Sequence, residues 1–423
     1  MQHIQGISRH QLQMSSLEDK ITADNPVRFI DAFVNHIDAV KIGFQPKILK
    51  TEGRPNFRLE VFLKLYLYGY LNGVRSSRRL EKECFRNIEV QWLLEAIYPN
   101  YHSIADFRKD NPKALKQLFK LFVSFLKDAE LIAGDTIAID GTKSRAHNSK
   151  KANYNQKKID KHKAYIDAKS QEYLDQLEQN DIQENPVVIK NIQQKIEGLK
   201  QNKIKYELLE EELKNSGEPQ ISTTDADARA LLVQGQVVEV SYNIQAAVDS
   251  KHNLVVATHT INRNDKNALA AIALEVKENL TLETFTVLVD KGYHNGRELH
   301  TCKQNNITTI VAVPEQGKSN ENGTQPEYLV SKFIYNKETN SYTCPEGKTL
   351  TTTGSWHKKT GRTEESGYNF QKYRTPACKT CLVKGLCTSR NGGREIDRSQ
   401  YADAVEENHQ RYKDNPQLYR KRQ

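Results

Sequence analysis

Two short apolar runs constrain this chain more than any other feature, because each is closed by an aspartate. Ile137-Ala138-Ile139 leads into Asp140-Gly141, and Val287-Leu288-Val289 leads into Asp290-Lys291-Gly292. Runs of this length and apolarity read as buried strands, here over 135–143, ending in a glycine turn, and over 283–293. An unpartnered carboxylate buried at a strand end costs on the order of several kcal/mol, and two carboxylates brought together repel. A divalent cation removes both penalties, since Mg2+ takes one or two carboxylates and fills its remaining positions with water and phosphate oxygens. Two such ions about 4 Å apart serve phosphodiester cleavage, and neighbouring strands lie about 4.8 Å apart. The plainer alternative is that Asp140 and Asp290 only open turns. Asp225 and Asp227 are rival acids, in a polar stretch that reads as a solvated loop or cap. Lys143, Lys291, Tyr293 and His294 adjoin the two acids and read equally as phosphate contacts or as exposed loop residues.

Around these strands the pattern changes several times. Residues 26–40 carry Phe29, Ile30, Phe33 and Ile37 near helical spacing. Helical segments follow over 58–73, stopped at Asn72-Gly73, and over 76–87, 90–97, 102–112 and 113–131, with Ser76 or Ser77 as N-cap of the second. Residues 153–214 are highly charged and broken at Pro186, with Ile189, Ile192, Ile196 and Leu199 forming a heptad seam after the break. A helical hairpin is favoured over a dimerising coiled coil, because the proline lies where the chain must reverse. Strand patterns resume over 237–249 and 253–261, joined by a turn at 250–252. A helix over 265–280 with Asp265 as its cap, the strand at 283–293, a helix over 295–306 and a strand over 307–314 complete the order. This is an α/β pattern, a mixed sheet with flanking helices behind an all-helical N-terminal domain.

The expected divisions are 1–130, helical; 131–314, the sheet core with its helical hairpin insert at 153–215; 315–395, a basic cysteine-containing insertion; and 396–423, a C-terminal helical region. At 423 residues several domains are expected. Lys and Arg number 62 against 53 Asp and Glu, a net charge of +9, which favours a polyanionic partner. Arg75, Arg78, Arg79, Lys82 and Arg86 place several cations on one helix face, read as a DNA-tracking helix or as a solvated surface. No apolar run is long enough to span a membrane, and the first residues lack an apolar signal core, so a cytoplasmic, nucleoid-associated protein is expected. In that reducing setting Cys344, Cys378, Cys381 and Cys387 point to a structural Zn2+ site, with free thiols in a loop as the alternative.

The segments AIDGTK, YNIQAAVDSKH, VLVDKGYH and HSIADFRK resemble bacterial insertion-sequence transposases with an RNase H-like DDE catalytic domain. The likeness covers most of the chain from about residue 54. It implies an RNase H-like fold and Mg2+- or Mn2+-dependent cleavage and strand transfer at transposon ends. Asp140 and Asp290 match the first two catalytic acids, as ligands of the cation. The partners implied are double-stranded DNA, both inverted-repeat ends and target, with a homo-oligomer assembled on it. Tyr419 and Arg422 match a Tyr-x-x-Arg element that precedes the third acid, a Glu, in the family. That Glu does not appear before Gln423, and Glu406 and Glu407 lie upstream of the element. The expectation is therefore a C-terminally shortened transposase with little strand-transfer activity. A non-catalytic DNA-binding repressor and a nuclease without strand transfer are the competing readings.

Overall fold

The computed structural model describes residues 8, 10–12, 14–45, 55–147, 150–181, 186–233, 237–314, 324–361 and 367–420. The chain divides after Phe125 into two compact units. No helix among the described residues is long and apolar enough to cross a membrane.

The first unit is helical for reasons that are local in the sequence. Helix α1 (Pro26–His36) starts where Pro26 fixes the first turn and the Asn25 side chain accepts from the Val27 N–H. The next helices are α2 (Leu59–Leu71), α3 (Ser77–Arg86), α4 (Ile88–Leu93), α5 (Tyr101–Asp110) and α6 (Pro112–Asp128), the last running across the division. Asn87 and Asn100 cap α4 and α5 through their side chains. Ser76 holds the N-cap position of α3, but its hydroxyl makes no capping bond. Helix α2 is the axis of this unit and buries Val61, Phe62, Leu63, Leu65, Tyr66 and Tyr68. Lys64 is buried among them, and Asp31 at 2.5 Å satisfies its charge.

The second unit is built on one mixed sheet. Its elements run β1 (Thr136–Arg145), β2 (Asn153–Tyr154), α7 (Gln156–Asp181), α8 (Pro186–Ser216), β3 (Ile221–Ser222), β4 (Arg229–Val233), β5 (Val237–Asp249), β6 (Val255–Ile261), α9 (Leu269–Leu280), β7 (Phe285–Val289), α10 (Gly296–Gln304) and β8 (Ile307–Val311). The strand order is β4-β5-β1-β7-β8, with β6 also paired to β5. Strand β5 is antiparallel to β1, whereas β1, β7 and β8 are parallel. Ser241 of β5 pairs with Arg145 and Arg229, and Asn243 pairs with Lys143 and Ile261. Strands β4 and β6 therefore share the edge of β5 that faces away from β1. Strand β4 is an addition to the order read from sequence. Strand β1 also departs from that reading: it does not end in a glycine turn but continues through Gly141 to Arg145, paired with β5 throughout.

Ile137, Ile139, Val287 and Val289 are fully buried, each stabilising the core by about 1.5–3 kcal/mol. Helix α9 buries Leu269, Ile272, Ala273, Val276 and Leu280. The edge strand β8 is covered by α12 (Ala402–Asp414). The Asn408 side chain accepts from the Val311 N–H at 2.9 Å and donates to the Val311 carbonyl at 3.0 Å, so an edge that would otherwise template pairing is closed.

Two insertions interrupt this sheet. The first is the helical hairpin α7–α8, as the seam implied, with Ile159, Ile166 and Ile192 buried and the ion pairs Lys163–Glu210 and Lys203–Asp167 crossing between the helices. The second follows β8 and is β-rich: β9 (Ile334–Asn336), β10 (Ser341–Thr343) and β11 (Thr349–Thr351) form one small sheet, and β12 (Trp356–Lys359), β13 (Tyr368–Tyr373) and β14 (Ile396–Ser399) another. Helix α11 (Lys384–Cys387) precedes β14, and α13 (Pro416–Arg420) follows α12. Phe333, Tyr342, Leu350, Tyr373 and Ile396 form the core of this insertion.

Candidate active site

Strands β1 and β7 are neighbours and pair in parallel as Thr136–Thr286, Ile137–Val287 and Ala138–Leu288. Two residues further along in the same register come Asp140 and Asp290. The sheet thus delivers both aspartates at one level, from adjoining strands. Asp290 caps the single turn at Lys291–Tyr293, its Oδ1 accepting from the Gly292 N–H at 2.8 Å. Asp140 Oδ1 accepts from the Gly141 N–H at 2.8 Å. Asp140 is exposed and Asp290 half-buried. The desolvation argument drawn from sequence therefore does not apply as stated, because each apolar run stops just before a carboxylate that reaches solvent. An open pair of hard oxygen donors is what a hydrated cation carrying phosphate requires.

Consecutive strand residues face opposite ways, so Gly141 faces away from the Asp140 side chain. A Cβ on Gly141 would lie 2.5 Å from Asp265 Oδ1, 2.5 Å from Gln245 Nε2 and 2.8 Å from Asn243 Oδ1. Gly141 is needed for this close approach inside a continuing strand, not for a turn. Asn243 and Gln245 are fully buried on β5. Asn243 Nδ2 donates to Asp265 Oδ1 at 2.8 Å, and Gln245 Nε2 donates to the same oxygen at 3.0 Å. Tyr293 is also fully buried and donates its hydroxyl proton to Gln245 Oε1.

These contacts revise several residue assignments. Asp265 does not cap the helix after it: α9 begins at Leu269 with Ala268 at its N-cap, and the Asp265 carboxylate turns to β5. Tyr293 has no access to phosphate, because it lies behind the sheet end. His294 is half-buried, and burial pushes its pKa down. Lys143 is half-buried on β1, three residues beyond Asp140, and Lys291 is exposed next to Asp290. Asp225 accepts a hydrogen bond from the Tyr242 hydroxyl at 2.5 Å, and burial together with this bond pushes the tyrosine pKa up to about 12. That is a structural role, in line with the plainer reading of the rival acids. Glu406 is bound to Arg398 and Glu407 to Lys303. Among the described residues no three His, Cys, Asp or Glu side chains gather as a metal-ligand set.

Arg75, just before α3, and Arg78, Arg79, Lys82 and Arg86 on it are all exposed, while Leu80, Glu83 and Cys84 face inward. Arg86 pairs with Glu83, and the Arg78 guanidinium lies 5.0 Å from the centre of the Tyr101 ring. Tyr419 lies on α13, its ring edge-on to Tyr412 at 4.9 Å; Arg422 is outside the described residues. Cys344, Cys378, Cys381 and Cys387 line one cavity of about 30 Å3, beside Phe333 and Arg394. The Lys348 N–H donates to Cys344 Sγ at 3.3 Å. Cys84 and Cys302 are buried elsewhere, and burial pushes each thiol up to about 12, which leaves them inert.

Asp265, Asn243 and Gln245 were invisible as site residues in the sequence. Their partners lie twenty or more positions away, and only the spacing of Asn243 and Gln245 on one strand face gave any hint.

Two family models match the chain: Transposase domain (DUF772) over residues 15–110, and Transposase DDE domain over residues 219–414. The second match includes Asp265 and Asp290 and begins after Asp140. No curated protein and no solved structure gave a match. A helical first unit matching one transposase domain, followed by a mixed sheet whose later strands match the DDE domain, places this chain in the insertion-sequence transposases, with a catalytic unit of RNase H-like fold.

Proposed function

We propose that this chain acts on the ends of its insertion sequence as a metal-dependent DNA phosphodiester-cleaving and strand-transfer enzyme, in the cytoplasm and as a homo-oligomer on DNA. The observation that carries this reading is the level register of Asp140 and Asp290 on the adjoining parallel strands β1 and β7. Their donor chemistry fits Mg2+ or Mn2+, with Asp140 and Asp290 as the residues that would hold it. When bound, such an ion lowers the cost of charge on the attacking and leaving oxygens. The chain's own part is to orient: the sheet fixes both carboxylates at one height, and Lys143 and Lys291 offer cations to the phosphates beside them. On the first unit, Arg75, Arg78, Arg79, Lys82 and Arg86 supply an exposed basic face for backbone phosphates, and Tyr419 and Arg422 complete the proposed DNA contacts.

The experiment uses duplexes carrying the inverted repeats that flank the coding frame. Mg2+- or Mn2+-dependent nicking at the repeat boundary, lost in Asp290→Ala and Asp140→Ala while binding persists, is expected. Nicking that survives both substitutions defeats the proposal. Replacing Arg78 and Arg79 together weakens end binding and flattens its salt dependence; unchanged affinity assigns that face to solvent.

A second reading is a non-catalytic occupant of the ends that represses transposition. It is favoured by one observation: among the described residues no third carboxylate joins the pair as a ligand. Tight binding to the repeats without nicking at any Mg2+ or Mn2+ concentration selects it. For the cysteine insertion we propose a structural Zn2+ that would draw Cys344, Cys378, Cys381 and Cys387 into a ligand set they do not form by themselves; the four thiols line one cavity, which supports the reading. A zinc-to-protein ratio near zero in the purified chain rejects it.

A further inference from the structure

We infer that Asp265 is the positioning residue of this site: its carboxylate is wedged between the two glycines that follow the two catalytic aspartates, and it sets how those aspartates stand relative to one another. The inference rests on the reading that Asp140 and Asp290 hold the cation. One oxygen of Asp265 faces β1, 2.5 Å from where a Gly141 Cβ would lie. The other faces the turn after β7, 3.7 Å from where a Gly292 Cβ would lie, with Asp290 Oδ1 2.9 Å from that same point. Among the nearest atoms to these two points, Asp265 is the acid that recurs at both.

The wedge is anchored on three sides. Asn243 and Gln245 both donate to Asp265 Oδ1. Gln245 also accepts from Tyr293, the last residue of the turn that Asp290 caps. Asn243 Nδ2 donates further to the Arg263 carbonyl at 2.9 Å, and Ala268 N–H to the Asp265 carbonyl at 3.0 Å, which fixes the backbone on both sides of the aspartate. Asn295 Nδ2 donates to Asn267 Oδ1 at 2.6 Å and to the Lys266 carbonyl at 3.1 Å, tying the segment after the Asp290 turn to the Asp265 turn. A movement of the Asp290 turn is thus transmitted through Tyr293 and Gln245 to Asp265, and from there to the backbone under Asp140. Buried amides that lose their acceptor are costly, so the Asn243 and Gln245 amide groups hold the Asp265 carboxylate in place. The energetic role of Asp265 is to accept two buried N–H donors with one oxygen. An asparagine can still do this with its carbonyl, and an alanine cannot.

That difference makes the test. The full chain is compared with Asp265→Asn, Asp265→Ala and Gly141→Ala. Amide hydrogen exchange is followed over 138–144 and 287–294, and Mn2+ affinity is measured by titration. Asp265→Ala is expected to speed exchange in both segments and to weaken Mn2+ binding on the order of tenfold, as for loss of a group that orients metal ligands. Gly141→Ala, which displaces the wedge from the other side, is expected to do the same. Asp265→Asn restores slow exchange in both segments and most of the affinity. Exchange in Asp265→Ala equal to the parent overturns the inference. So does equal loss in Asp265→Asn and Asp265→Ala, which would make Asp265 a ligand in its own right. If the parent itself binds no Mn2+, the cation reading fails, and the exchange comparison still decides the role of Asp265.

Discussion

The two insertions into the catalytic sheet are held together in opposite ways. The α7–α8 hairpin is stabilised along its length by a repeating apolar seam and by ion pairs between the helices, the half-buried Lys163–Glu210 and the exposed Lys203–Asp167. The insertion from β9 to β14 centres on one aromatic cluster, where Tyr373 packs edge to face on Tyr335 and Tyr342 and the Arg398 guanidinium sits 3.6 Å from the centre of the Tyr335 ring. A repeating seam divides stability among several buried aliphatic residues, so the loss of one leaves the others packed. A focal cluster concentrates stability in a few residues that cannot be replaced.

The sharpest way to break this contrast is Tyr373→Ala. The ring is fully buried, and its hydroxyl donates to Asn340 Oδ1 at 2.6 Å, with Gln371 Oε1 a further 3.1 Å neighbour. A loss of about 3–5 kcal/mol is expected from the cavity, seen as early proteolysis within 334–399 while the hairpin stays protected; uniform protection would dissolve the contrast. Ile159→Ala, at the base of the hairpin, is expected to cost about 2–4 kcal/mol, read as a lower Tm with the β-rich insertion intact. Arg398→Met comes third. Arg398 is buried, but its partners Asp403 and Glu406 are half-exposed and recover hydration when it is lost, so about 2 kcal/mol is expected in chemical denaturation. A loss larger than that of Tyr373→Ala would shift the focal point from the rings to the charge.

The smallest effect is Glu210→Gln. Hydrogen bonds from Lys163, then Lys214 and Gln156, hold the Glu210 carboxyl well down, from 4.5 to about 2. A depressed carboxylate contributes stability that is present above 4.5 and fades as pH falls toward 2. Parent and variant should therefore differ slightly in helix melting at pH 7 and converge as the pH approaches 2. A difference that persists at that pH would mean that the seam, not the pair, was altered.

The same contrast explains what was legible in the sequence. The helices of the first unit, the hairpin seam, and the runs Ile137–Ile139 and Val287–Val289 advertise themselves by periodicity or unbroken apolarity. So do the aspartates that close the two runs. Strand β4 does not, because Arg229-Ala230-Leu231-Leu232-Val233 is short and its pairing is decided by β5. The strands of the cysteine insertion are three to six residues long and polar, and they gain order only from cross-strand neighbours. Gly141 and Asp265 read locally as a turn and a cap. Their actual functions depend on each other and on Asn243 and Gln245, and a non-local contact of this kind leaves no periodic trace.

The hairpin departs from Asn153 and returns at Ser222, and these two residues pair with each other. The Thr223 N–H also donates to the Ala152 carbonyl at 2.9 Å. An excursion whose exit and re-entry coincide exerts no leverage on the strands before and after it. Shortening α7 and α8 together is therefore expected to leave Asp140 and Asp290 in step.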